Sequence, residues 1–131
     1  ALHTYFRVDL MASHLLGLQD VRYNDSAAGG APGREVAASI RVDGEVDRNY
    51  LQVTRPLELV DERTKLIISQ QGFEDVVVWN PWRDKAGALR DLADDEYLQF
   101  LCIEAAQVNR AVNLPPGQRW TGQQRVVVAH A

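Results

Sequence analysis

One acid stands among apolar neighbours in residues 97–108, YLQFLCIEAAQV. The segment has strand composition, and period-2 alternation sorts it onto two faces. Leu101, Ile103 and Ala105 point one way, and Phe100, Cys102, Glu104 and Ala106 point the other. An ionised carboxylate buried without a partner is very costly. Glu104 is therefore paired, protonated, set at a cleft floor or put to use, unless the strand simply meets solvent at that end. A perturbed carboxylate in a cleft is a candidate for proton-transfer chemistry. His3 is the second titratable candidate, in the run LHTYFRVDL at 2–10. Leu2, Thr4, Phe6, Val8 and Leu10 fall on one face of that run, and His3, Tyr5, Arg7 and Asp9 on the other. That is a half-buried strand with a polar, partly aromatic face. On its own, His3 reads either as a hydrogen-bonded structural residue or as a site residue. Trp79 and Trp82, in FEDVVVWNPW at 73–82, either stack on a sugar ring or form core or cleft wall.

Other chemistries find little support. His3, His14 and His130 lack metal-ligand spacing, and Cys102 is the one cysteine, so no metal site and no internal disulfide are expected. Cys102 reads as a small apolar filler. Asp43, Glu45 and Asp47 lie close together, but the spacing of a calcium loop is absent. The glycines of SAAGGAPG at 26–33 have no following Lys-Ser/Thr, so the stretch reads as a surface loop and not as a phosphate cradle. No serine sits in a nucleophile elbow.

The elements that must position these residues are short. Strand patterns recur at 2–10, 15–19, 35–41, 50–54, 57–61, 65–70, 76–78 and 120–128, besides the Glu104 segment. Tyr23-Asn24-Asp25 begins a turn, Asp43-Gly44 is a hairpin signal, and Glu62-Arg63 makes a tight turn. Residues 83–92 give the one helix, with Ala86, Leu89, Leu92 and Ala93 at helical spacing. His130 reads as an exposed tail residue. Many short strands with regular turns and one short helix predict an all-β, antiparallel β-sandwich, as a single domain over 1–131.

Composition agrees. With 46% apolar and 24% charged residues, the chain belongs to the soluble globular class. A net charge of −4 argues against a nucleic-acid partner. There is no apolar run of membrane-spanning length, and no basic n-region with an apolar h-region, so no secretory signal is visible. The lone cysteine fits a reducing, cytoplasmic setting. Strand pattern begins at once, without an initiator Met, which suggests part of a longer protein.

Several segments together resemble one family. LHTYFRV at 2–8, GEVDRNY at 44–50, VVVWNPW at 76–82, the Lys85-Ala86 helix, FLCIEAAQV at 100–108 and LPPGQRWTGQQ at 114–124 occur in the order found in the C-terminal half of glucose-6-phosphate 1-epimerases, relatives of the aldose 1-epimerases. The resemblance implies half of a galactose-mutarotase-like β-supersandwich. It implies that His3 and Glu104 are catalytic and that Asp47 binds sugar. The implied function is interconversion of the α and β anomers of a hexose 6-phosphate, with glucose 6-phosphate the expected sugar. Glu104 would act as base and His3 as acid, without metal or organic cofactor. A neutral-to-mildly-acidic working pH follows, since the histidine must carry a proton. The family's phosphate-holding arginines come mainly from the N-terminal half, so a partner half of the same fold is expected. Arg48 is expected to pair with a nearby acid. The alternative reading is a non-catalytic sugar-binding sandwich using Asp47, Trp79 and Trp82, or an inactive fragment.

Overall fold

The computed structural model describes residues 1–130. In chain order the elements are β1 (Tyr5–Arg7), β2 (His14–Leu16), β3 (Arg22–Asp25), β4 (Ala31–Arg34), β5 (Ser39–Ile40), β6 (Val46–Tyr50), β7 (Leu57–Val60), β8 (Thr64–Gln71), β9 (Asp75–Asn80), α1 (Trp82–Ala88), β10 (Phe100–Ala106) and β11 (Gln123–His130). Single 3-10 turns occur at Ser26–Ala28 and Glu96–Gln99. The strands pair antiparallel in two sheets. The six-stranded sheet has the order β1, β10, β9, β6, β3, β4, and the five-stranded sheet β11, β8, β7, β2, β5. This is the all-β sandwich with one short helix that the turn spacing predicts.

The core lies between the sheets. Phe6, Val78, Leu101 and Ile103 of the larger sheet meet Leu15, Leu57, Leu59 and Ile68 of the smaller. Burying each such side chain is worth about 1.5–3 kcal/mol. β10 is buried along its whole length. Leu101 and Ile103 face the core, while Phe100 and Cys102 join Ala86 of α1 and Tyr97 in a second cluster. The alternation read from the sequence thus holds, with cover on both faces.

Two buried polar side chains anchor the centre. Asn80 is fully buried; its Nδ2 donates to the carbonyls of Tyr97 and Phe100 at 2.9 Å each, and its Oδ1 accepts from the Trp82 amide at 2.9 Å. It fastens the segment between α1 and β10 and holds Trp82 at a φ of 60°, a region unfavourable for a bulky residue. Asp75, also fully buried, accepts from the amide of Gln52 at 3.2 Å through Oδ1, and from those of Val108 and Asn109 at 2.9 and 2.8 Å through Oδ2.

Several local expectations are corrected. The 26–33 stretch is not all loop. Asp25 Oδ1 accepts from the Ala27 amide, Gly29 and Gly30 reverse the chain at φ 68° and 83°, and the chain returns as β4 beside β3. Pro32 is tolerated there because β4 is an edge strand. Tyr23-Asn24-Asp25 lies in β3 and is not yet a turn. Asp43-Gly44 joins β5 to β6 in different sheets, so it closes no hairpin. The helix stops at Ala88, short of 92, with Leu89 extended. Gly87 lowers its helical propensity, and the bend lets Leu92 pack against the second cluster. His130 is exposed but ends β11, opposite Thr64. Among the described residues no helix is long and apolar enough to cross a membrane.

Candidate active site

Register across the six-stranded sheet assembles the site. Tyr5 pairs with Cys102, and Leu2 bridges to Ala105. His3, two residues before Tyr5, therefore extends the outer face of β1 and falls beside Glu104. Glu104 pairs with Val77, and Val77 with Asn49; Cys102 pairs with Trp79, and Trp79 with Asp47. Directly opposed residues share a face. Two neighbouring rows result: His3, Glu104, Val77, Asn49, and Tyr5, Cys102, Trp79, Asp47. Their shared face is the outer one, away from the inter-sheet core.

His3 Nε2 lies 3.1 Å from Glu104 Oε1. The Glu104 side chain is 8% exposed and that of His3 52% exposed. A buried carboxylate thus lies beneath a half-exposed imidazole. The imidazole stacks on Tyr5 at 5.0 Å and meets the edge of Trp79 at 5.7 Å. Burial, the largest cause, pushes the Glu104 carboxyl above the usual carboxylate range; the charge on His3 opposes this and Asp47 adds to it. Burial also pushes Asp47 up, with Lys85 opposing. Lys85 itself pairs with Glu45 at 2.6 Å.

Strand spacing puts Asp47 about 10 Å from Cys102, Cα to Cα. His3 and Glu104 are therefore in contact, while Asp47 shares their face two strands away. Trp79 edges the site, and Trp82 packs on Tyr97. Cys102 is fully buried, as expected of a filler. The donor atoms of His3, Cys102 and Glu104 lie within 4.8 Å of one another. They could gather round a divalent ion, but burial pushes the Cys102 thiol up, away from the thiolate that a metal binds.

Arg48 pairs with Asp25 and Glu35 at 3.2 Å each and covers the Tyr23 ring at 4.2 Å. It is committed to these contacts, as the density of nearby acids predicts. A surface cavity of 610 Å³ lies off the acid–base pair, among Arg7, Asp9, Asp61 and Arg63. A perturbed carboxylate beside a histidine makes that pair, and not this cavity, the candidate site.

Gln124 of β11 closes the run LPPGQRWTGQQ, which by itself gives the residue no role. It crosses from the other sheet, accepting from Thr4 Oγ1 at 2.6 Å and donating to the Ile103 carbonyl at 2.9 Å. Thr4 adjoins His3 and Ile103 adjoins Glu104, so one side chain links the Thr4 hydroxyl to the backbone of the strand that carries Glu104.

The two-sheet antiparallel sandwich is a mutarotase-like fold. Residues 1–126 match the family model described as Aldose 1-epimerase, and the chain belongs to that family. It is 36% identical over 126 residues to a Cenchrus ciliaris protein and 32% identical over 115 residues to one from Escherichia coli (strain K12), both named "Putative glucose-6-phosphate 1-epimerase". Those alignments cover 94% and 81% of this chain but 38% and 37% of the relatives. The chain spans well under half the length of the curated relatives it matches. A crystal structure titled "a putative mutarotase (YeaD)", from Salmonella typhimurium, superposes with a TM-score of 0.84 at 24% identity, over 99% of this chain and 45% of the other.

Proposed function

We propose that this chain carries the acid–base pair of an anomerase for hexose 6-phosphates, working with a further portion of the same fold. The observation that carries the reading is the contact between exposed His3 and buried Glu104. Glu104 as carboxylate removes the proton from the C1 hydroxyl, while His3 as imidazolium protonates the ring oxygen. The C1–O5 bond breaks and an open-chain aldehyde forms. Rotation about C1–C2 presents the other carbonyl face. Closure reverses both transfers, so each group recovers its starting state without metal, redox partner or organic cofactor. Burial favours this division of labour, because a carboxylate with a raised pKa is a stronger base.

Asp47, on the same face, would take the sugar hydroxyls further from C1. The names of the relatives favour glucose 6-phosphate. The phosphate would be held from outside these residues, since Arg48 is already engaged by two acids. A reducing, cytoplasmic setting suits the buried free Cys102.

Magnetisation-transfer NMR on glucose 6-phosphate tests the reading. Exchange should run above the spontaneous rate and fall by about 10²–10⁴-fold in His3→Ala. Exchange that survives the substitution at full rate would remove His3 from the chemistry.

A further inference from the structure

We infer that Asn49 is a second sugar contact, one that reads a ring hydroxyl remote from C1; this rests on the reading of the site as a sugar site. Asn49 lies on β6 two residues beyond Asp47, on the same outer face. It is 9% exposed, and its Oδ1 is buried with no hydrogen-bond partner among the described residues. Leaving such an acceptor unpaired costs about 1–3 kcal/mol, and buried polar atoms are paired in the great majority of cases. An apolar β-branched residue would fill a covered sheet position without that cost. Packing therefore gives no reason for an amide here. Its cross-strand neighbour on β3, Asn24, leaves the oxygen unpaired.

Register says what could reach this amide. Asn49, Val77 and Glu104 form one row across β6, β9 and β10. Asn49 is two strand spacings from Glu104, about 10 Å between Cα atoms. The half-buried Val77 between them offers an apolar floor for one face of a pyranose ring. With C1 held at Glu104 and His3, the opposite edge of the ring turns its 3- and 4-hydroxyls toward Asn49. A hydroxyl both donates and accepts. It can accept from Nδ2 as the amide stands, or donate to Oδ1 after a half-turn brings that oxygen outward.

The test uses the full-length protein, with Asn49→Val and the polar Asn49→Ser. Dissociation constants are measured by NMR titration for glucose 6-phosphate and for its 3-deoxy and 4-deoxy analogues, with anomer exchange recorded in parallel. Asn49→Val should weaken the parent sugar by about 10-fold or more, and should cost almost nothing with the one analogue that lacks the contacted hydroxyl. If Asn49→Val does not fold, the same ratios are read in Asn49→Ser, with a smaller loss on the parent sugar. Equal affinity for the parent sugar, or an equal loss on both analogues, overturns the assignment. Exchange that runs normally with a flat pattern of ratios defeats this inference alone. A selective pattern without exchange defeats only the catalytic reading. No sugar binding by the wild type defeats both.

Discussion

Glu104→Gln should lower anomer exchange by about 10²–10⁴-fold and leave the fold intact. The amide keeps the shape and can still accept a hydrogen bond from His3, but it cannot take the C1 proton. Stability provides the control. The folded-state pKa of Glu104 is raised, chiefly by burial. The folded protein therefore holds this proton more tightly than the unfolded chain does. Its contribution to stability is present below the ordinary carboxylate pKa and is lost as pH rises through the folded value. At neutral pH the ionised carboxylate is a cost, so the glutamine variant should melt at or above the wild-type temperature and lose that pH slope. The acid limb of kcat/KM in the wild type should lie above the usual carboxylate range, because it reports the same proton leaving. A variant that exchanges anomers normally would reassign the base. One that melts well below the wild type would attribute lost activity to lost structure. In a purely sugar-binding module, Glu104→Gln would bind about as well as the wild type.

Asp75→Ala is expected to be the most damaging single truncation for stability. Its carboxylate accepts three backbone hydrogen bonds, from Gln52, Val108 and Asn109. Gln52 sits at a φ of 53° at that turn. Removing the carboxylate leaves three amides without an acceptor at a fully buried position. Bonds to a charged acceptor are worth about 1.5–3 kcal/mol each. Allowing for water entering the gap, the loss should be about 3–5 kcal/mol, against a total of about 5–15 kcal/mol for a typical fold. A urea series would show it as a lower midpoint at an unchanged slope. A loss under about 1 kcal/mol would mean that the amides find other partners. Because Asp75 opposes Ala106 at the end of β10, the damage should also loosen the strand that carries Glu104.

The frame of the site was legible because alternation is a local property. LHTYFRV and FLCIEAA each declare two faces, and those faces put Thr4 and Ile103 inward and His3 and Glu104 outward. Their contact was not legible from spacing, since 100 residues separate them; only the ordered set of family motifs implied it. The pairing of β3 with β4 is not legible because glycine and proline read as loop, and an edge strand tolerates both. The end of α1 was misplaced because Leu89 and Leu92 keep helical spacing, although Leu92 reaches its cluster through a bend. Gln124 and Asn49 lie inside the family-like runs at 114–124 and 44–50, but nothing in those runs gives either residue a role. One matters through partners on another sheet, the other through a partner it lacks.

β11 has a further consequence. Its eight residues pair with β8 along one side only, and Val126, Val127 and Val128 remain exposed at 42%, 36% and 68%. An uncharged run of valines on an open edge is a template for adding like strands from other molecules. Expressed by themselves, these residues should seed fibrils at a rate that climbs with concentration. Dye-detected growth should vanish in Val127→Lys, and persistent growth would place the seed elsewhere. Colloidal behaviour, more than melting temperature, would then govern how the isolated chain can be handled.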